Sequence, residues 1–156
     1  MLDIAIPSRD VINLEYMVLD VNGTIALDGQ IIPGVDGRLD ELAELLSLWL
    51  VSADTQGTLA SLAAGLQVQT RLLQPRGEAA QKAALVEELD ARRVVAIGNG
   101  ANDEAMLRRA VLGMAVMGNE GLAVACLNAA DVIVPDIGSA LDLLLWSRRL
   151  IATLRT

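Results

Sequence analysis

The sequence predicts an α/β protein in which a doubly wound, Rossmann-like parallel sheet carries helices on both faces. Short apolar runs bounded by turn signals recur along the chain, and segments of helical periodicity fill most gaps between them. Strands that alternate with helices form parallel sheets, because each crossover helix packs on one face. The chain has 156 residues, 53% of them hydrophobic, so we expect a single domain over residues 1–156.

Six apolar runs are the predicted strands of this sheet. They lie at residues 16–20, 47–52, 68–73, 94–98, 113–117 and 131–134. Helical periodicity predicts helices over residues 35–46, 55–64, 78–89, 102–110, 120–128 and 139–153.

Two smaller elements are predicted in the first part of the chain. Residues 25–32 indicate a small hairpin, because Asp28-Gly29 is a strong two-residue hairpin turn. This flap, at about residues 25–34, is too short to be a cap domain. Residues 2–6 are expected to form an extra edge strand or to pair in a hairpin.

Composition excludes several classes of function. The formal net charge of −8 argues against a nucleic-acid partner, since phosphate backbones are bound by basic surfaces. No apolar run is long enough to span a membrane and no leader pattern is visible, so we expect a cytoplasmic protein without a membrane partner. Cys126 is the only cysteine, which excludes a disulfide and a thiolate metal cluster and indicates a core filler.

The chain has no histidine, which removes the usual general base, the Ser-His-Asp arrangement and most zinc sites. Any catalysis must therefore rest on carboxylates. Lys82 is the only lysine among 12 basic residues, so its position in the first turns of a predicted helix carries weight. It could neutralise an anionic intermediate, and a solvated surface lysine is the equally weighted alternative.

Polar groups follow several predicted strands, and the loops after parallel strands meet at one edge of the sheet. The first loop, Asp20-Val21-Asn22-Gly23-Thr24, presents a carboxylate where the chain must turn. The second presents Ser52 with backbone N–H groups behind it, which could hold a phosphate at a helix N-terminus. An ordinary helix cap by Asp54-Thr55 is the alternative for that loop.

The loop Gly98-Asn99-Gly100-Ala101-Asn102-Asp103 is the other informative segment. It resembles half of a dinucleotide fingerprint, but Asp103 stands where a third glycine is needed, so NAD binding is disfavoured. Two glycines and three short polar side chains at a strand-to-helix turn suit oxygen-ligand coordination of a hard cation such as Mg²⁺. A purely structural turn is the alternative.

Taken together and in this order, the motifs resemble the haloacid-dehalogenase superfamily, and most closely the phosphorylation domain of P-type ATPases as found in small soluble relatives. Asp-Val-Asn-Gly-Thr is similar to the Asp-x-Asp-Gly-Thr motif of that superfamily, and Ser52-Ala53-Asp54 to the Thr-Gly-Asp of the pumps. Residues 98–107 are similar to the Gly-Asp-Gly-x-Asn-Asp loop. The interval between the first two motifs is too short for the nucleotide-binding domain of a pump.

The resemblance implies a magnesium-dependent phosphatase or phosphotransferase in which Asp20 becomes an aspartyl phosphate. Magnesium would be held by Asp20, the backbone carbonyl of Asn22 and Asp103, with Asn99 at a position that often faces the cation. The implied phosphoryl-binding residues are Ser52, Ala53, Lys82 and Thr24, and Asn102 would orient the loop. The expected partner is a small phosphorylated molecule or a phosphoprotein, and a homo-oligomer would cover a capless site.

Two departures from the motifs replace a carboxylate by an amide. Asn22 stands where phosphatases of the family keep their general acid/base, whose loss lowers rates by roughly two to four decades. Asn99 removes a negative charge from the expected cation site. The alternative function is therefore an impaired binding or regulatory domain. Both asparagines precede glycine, and deamidation could regenerate a carboxylate at either position.

Overall fold

The computed structural model describes residues 1–7, 9–53 and 58–156, and its centre is a six-stranded, fully parallel sheet. The described strands are β1 (Leu2–Ile4), β2 (Ile12–Leu14), β3 (Tyr16–Asp20), β4 (Ala26–Leu27), β5 (Gln30–Ile31), β6 (Ser47–Ser52), β7 (Val68–Leu72), β8 (Val94–Gly98), β9 (Leu112–Val116) and β10 (Val132–Val134). The sheet order is β10-β9-β8-β3-β6-β7. The α/β prediction is confirmed.

Helices cover both faces of this sheet. They are α1 (Val35–Ala43), α2 (Thr58–Ala63), α3 (Glu78–Glu88), α4 (Glu104–Arg109), α5 (Val124–Leu127), α6 (Ile137–Leu145) and α7 (Ser147–Leu154). One core cluster joins the sheet to α1, α6 and α7, and the other joins it to α3, α4 and α5. Cys126 is buried in the second cluster, as a core filler should be. None of the described helices is both long and apolar enough to cross a membrane.

The predicted strands form where expected because the central strands are buried on both faces. Every residue of β8 and β9 is buried, which is why each reads as an unbroken apolar run. The predicted bounds of β3, β6 and β8 coincide with the observed ones. Strands β7 and β10 differ from their predictions by one residue at one end, and β9 is shifted by one residue at both ends. The predicted flap is confirmed as the antiparallel pair β4 and β5, with positive φ at Asp28 and Gly29 as its tight turn requires.

Several predicted helices differ from those observed. The helix predicted over residues 139–153 is two helices, α6 and α7, separated at Trp146, whose ψ of 61° is incompatible with a continuous helix. The helix predicted over residues 120–128 begins only at Val124, because residues 117–123 form a loop with positive φ at Gly118 and Gly121. The helix predicted over residues 102–110 starts as a 3₁₀ turn at 101–103 before α4.

Two further predictions concern the ends of elements. Of residues 2–6, Leu2–Ile4 pair in a hairpin, and their partner strand Ile12–Leu14 was not predicted. The helix predicted over residues 55–64 corresponds to α2, and its first part, together with the predicted capping pair Asp54-Thr55, lies outside the described residues.

The topology brings the ends of three strands together at one edge. From β3 the chain winds outward through β6 and β7, then returns to the other side of β3 and winds outward through β8, β9 and β10. The winding reverses between β3 and β8, and ligands bind in open α/β sheets in the crevice at such a reversal. Asp20 pairs with Val51 and Leu19 with Ile97, so Asp20, Ser52 and Gly98 end their strands side by side.

Candidate active site

Lys82 joins two carboxylates beneath this crevice. Its Nζ donates to Asp20 Oδ1 and to Asp103 Oδ1, each at 2.6 Å. The lysine is 1% exposed and Asp103 is fully buried, so α3 directs the only lysine of the chain inward rather than into solvent. The arrangement places one cation between two anions in an interior where unpaired charges are strongly disfavoured.

Charges and burial in this triad raise the pKa of Asp20, but not enough to keep the carboxyl protonated at neutral pH. Burial raises the pKa of the Asp20 carboxyl to about 6, the negative charge of Asp103 adds to this, and Lys82 and Thr24 oppose it. Burial disfavours the Lys82 ammonium, but Asp20 and Asp103 outweigh burial and raise the pKa of Lys82 above its usual value. At neutral pH Asp20 is therefore largely a carboxylate, the form needed for nucleophilic attack.

Asp103 also fixes the loop that follows β8. Its Oδ2 accepts from the backbone N–H groups of Asn99 and Gly100, each at 2.9 Å, while its Oδ1 accepts from Lys82. Both carboxylate oxygens are thus engaged within the protein. Asn102, predicted to orient the same loop, donates from its amide to Glu78 Oε2 at 3.0 Å and so ties the loop to α3.

Thr24 and Asn99 connect Asp20 to the far side of the crevice. The Thr24 hydroxyl lies 3.3 Å from Asp20 Oδ2 and 3.1 Å from Asn99 Oδ1. The Asn99 amide nitrogen donates to the Gly121 carbonyl at 3.3 Å. Asn99 therefore links the nucleophile candidate to the loop after β9.

Asn22 and Ser52 lie on the opposite branch of the site. The Asn22 amide nitrogen is 3.5 Å from Ser52 Oγ, and the buried Ser52 ends β6. Asn22 offers an amide where proton exchange would need a carboxyl group. Ala53 follows Ser52 at the cavity wall.

A cavity of about 760 Å³ opens at this edge of the sheet. It is lined by Asp20, Asn22, Ser52, Ala53, Glu78, Lys82, Asn99, Gly100, Asn102, Glu120, Gly121, Leu122 and Ala123. Of the predicted site residues, only Thr24 and Asp103 are absent from the wall, and both lie directly behind it. Glu78 and Glu120 were not among the predicted site residues. The position of Glu120 in the loop after β9 could have indicated it, because that loop opens on the same edge.

The oxygen atoms at this edge are of the chemical type that binds a hard divalent cation. Among the described residues, Thr24 alone donates a hydrogen bond to Asp20 Oδ2, and backbone carbonyl and carboxylate oxygens are the ligands that Mg²⁺ takes. Among the described residues, however, no group of three or more acidic, histidine or cysteine side chains is arranged to hold a metal ion. Lys82 supplies a positive charge between Asp20 and Asp103 instead.

Comparison with known sequences identifies a relative of this chain. No protein-family model matches the chain. The uncharacterized protein MJ0073 of Methanocaldococcus jannaschii is 46% identical to it over 71 residues, which is 46% of this chain and 76% of that protein. The chain belongs to the family of MJ0073.

Two solved structures are similar over most of this chain. The 3-deoxy-D-manno-octulosonate 8-phosphate phosphatase of Moraxella catarrhalis, in complex with a magnesium ion, a phosphate ion and KDO, matches with a TM-score of 0.66 and 20% identity over 91% of this chain and 94% of that one. The catalytic domain of the CPx-ATPase CopB-B matches with a TM-score of 0.61 and 27% identity over 73% of this chain and 45% of that one. The fold is that of the haloacid-dehalogenase superfamily, since solved hydrolases of that superfamily also match over most of the chain. In the described residues only the β4–β5 hairpin stands between β3 and α1.

Proposed function

We propose that this protein is a magnesium-dependent phosphatase or phosphotransferase that works through an aspartyl phosphate on Asp20. The observation that carries the proposal is the position of Asp20 at the carboxyl end of β3, at the reversal of the sheet, ion-paired to the buried Lys82. The phosphatase and ATPase neighbours described above support the same class of reaction. A small phosphorylated molecule or a phosphoprotein is the proposed substrate.

The proposed reaction proceeds in two displacements. A carboxylate oxygen of Asp20 attacks phosphorus, the bond from phosphorus to the leaving oxygen breaks, and that oxygen takes a proton from solvent. Water then attacks the same phosphorus, the bond to Asp20 breaks, and phosphate leaves as a proton is released to solvent. Transfer to an acceptor hydroxyl instead of water would make the protein a phosphotransferase.

The remaining residues position and neutralise the phosphoryl group. Ser52 and the backbone at Ala53 would hold its oxygens, and Lys82 would neutralise part of its charge. Thr24 keeps Asp20 oriented through its hydroxyl. Magnesium, when bound, supplies charge neutralisation on the phosphoryl oxygens.

Asp20 and the backbone carbonyl of Asn22 are the proposed cation ligands. Asp103 would add negative charge and hold Lys82, since both its oxygens accept hydrogen bonds within the protein. Because Asn22 cannot protonate a leaving group, substrates with good leaving groups are expected to react fastest. Aryl phosphates and acetyl phosphate are such compounds.

The decisive experiment compares phosphate release from 4-nitrophenyl phosphate and acetyl phosphate by the native protein and by Asp20→Asn, with and without magnesium. We expect magnesium-dependent release from the native protein and a loss of at least three orders of magnitude in the variant. Circular dichroism of the variant controls for folding. Equal release by the variant would refute the role of Asp20, and no release by either protein would favour a binding or regulatory domain that retains the fold.

A further inference from the structure

Glu120 places a carboxylate at the wall of the cavity, and this residue belongs to none of the sequence motifs described above. A Cβ atom on Gly23 would overlap Glu120 Oε2 and would lie 3.0 Å from Glu120 Cδ and 2.9 Å from Asn99 Nδ2. The glycine, at a φ of +77°, therefore leaves room for the carboxylate beside the turn that follows Asp20. Within the described ranges, no side chain donates a hydrogen bond to Glu120 and no cation pairs with it, so its carboxylate can meet a ligand.

Asn99 holds the loop that carries Glu120. Its side-chain nitrogen donates to the Gly121 carbonyl at 3.3 Å, and its backbone carbonyl accepts from the Ala123 N–H at 2.9 Å. Its side-chain oxygen accepts from Thr24. A carboxylate at position 99 would turn an oxygen toward the Gly121 carbonyl, where a donor is required. The amide at this position is thus the group that the loop needs.

Away from the proposed phosphoryl position, negative charge prevails among the described residues that line the cavity. In the part of the cavity wall that the structure describes, the charged residues are Asp20, Glu78, Lys82 and Glu120. Lys82 is already engaged by Asp20 and Asp103. Of the described lining residues, this leaves the carboxylates of Glu78 and Glu120 as the charges that the rest of a substrate meets. A negative group on the leaving part of the substrate would therefore be repelled, and a positive group attracted.

We propose that Glu120, positioned by Asn99, is a specificity-determining residue that selects phosphate compounds whose leaving group is cationic or uncharged over those whose leaving group is anionic. This inference rests on the proposed phosphatase function. Asn99 acts as a positioning residue, because its side-chain nitrogen holds the Gly121 carbonyl of the loop that carries Glu120.

The test uses three phenyl phosphates that carry a trimethylammonio, a cyano or a carboxylate substituent. Intrinsic reactivity differs among them, so the quantity compared is the change in the cationic-to-anionic ratio of kcat/KM between proteins. Glu120→Gln is expected to lower this ratio about fivefold to tenfold, the size expected for one surface charge near the substituent, and mainly through KM. Glu104→Gln, which removes the same charge from a half-buried position outside the cavity, should leave the ratio unchanged.

A double-mutant cycle then tests the role of Asn99. Asn99→Ala should lower the ratio in the native background and have no effect on it in the Glu120→Gln background, because its influence passes through Glu120. An unchanged ratio in Glu120→Gln, with turnover still dependent on Asp20, would overturn the inference alone. Absence of turnover on the uncharged cyano compound would overturn both the inference and the proposed function.

Discussion

The Asp20 carboxylate occupies an interior position that opposes its charge. Burial and the neighbouring Asp103 raise its pKa to about 6, although Lys82 donates to it at 2.6 Å. A buried charge of this kind lowers the stability of the folded state, and active sites commonly retain such groups because the chemistry requires them. The stability of the protein should therefore respond to the loss of this one charge.

We predict that Asp20→Asn stabilises the metal-free protein at neutral pH. The pKa of Asp20 is higher in the folded chain than its ordinary value of 3.8, so protonation favours the folded state. The favourable contribution is complete below about pH 4 and is lost as the pH rises to about 6. The variant lacks this titration, so its advantage should grow between pH 4 and pH 6 and reach on the order of 2–3 kcal/mol at pH 7.

Urea unfolding in the presence of a chelator at pH 4, 5, 6 and 7 measures this difference. Asp36→Asn, a loss of one exposed carboxylate on α1, is the matched control and should show no such trend. A variant that is less stable than the native protein at pH 7 would contradict the prediction, and would mean that the ion pair with Lys82 outweighs burial.

Single residues were predictable where a strand delivers them directly. Asp20 and Ser52 end strands, and the strand ends were readable from apolar runs. The partners of Asn99 were not predictable, because they depend on how the 117–123 loop returns to the crevice. Glu120 was assigned to a helix, since the apolar residues after it continue a helical period that the glycines on either side interrupt.

At the scale of elements, burial on both faces explains which predictions were accurate. Strand β8 is buried at every residue and β3 at every residue except Tyr16, so the interior of each strand is an apolar run, and their bounds were predicted correctly. The break between α6 and α7 was not visible, because leucines continue the apolar period on both sides of Trp146. A change of axis within a periodic segment leaves no local signal when the apolar face is preserved.

Close packing of α4 against β9 depends on Gly113. A Cβ at this position would lie 2.5 Å from the backbone oxygen of Leu107 and 3.1 Å from its carbonyl carbon, and backbone atoms cannot rotate away. We predict that Gly113→Ala lowers the free energy of unfolding by about 1–3 kcal/mol. Gly37→Ala on α1 is the control, because no atom lies within 4 Å of its Cβ, and it should raise stability by roughly 0.5–1 kcal/mol.

Urea midpoints of the two alanine variants, at equal slopes, measure these effects. A Gly113→Ala midpoint at or above the native value would mean that α4 can move away from β9 without loss. That result would also weaken the view that the loop between β8 and α4, which carries Asn99 and Asp103, is held rigidly by the packing of this helix.

At the scale of the whole molecule, the alternation of strands and helices predicted the parallel sheet but not the order of its strands. The order depends on which side of β3 each crossover returns to, and residues within a single crossover do not record that choice. The reversal between β3 and β8 nevertheless brings together the loops that the motifs had marked. Local patterns in the sequence therefore indicate the candidate site without the order of the strands that assembles it.

The net charge of −8 complicates any measurement of metal binding, because cations in general screen the self-repulsion of the folded chain. A bound Mg²⁺ ion should add to this general effect by mass action. At a concentration 100 times its Kd, it should contribute about 2.7 kcal/mol, which corresponds to a rise in Tm of roughly 5–10 °C for a chain of this size.

Thermal unfolding in MgCl₂ and in NaCl of equal ionic strength separates specific binding from screening. Asp20→Asn, which lacks the proposed ligand, should show only the rise produced by NaCl. If the native protein gained no more from MgCl₂ than from NaCl, the Lys82 ammonium would be the cation on which the site relies, and phosphoryl transfer would have to proceed without magnesium.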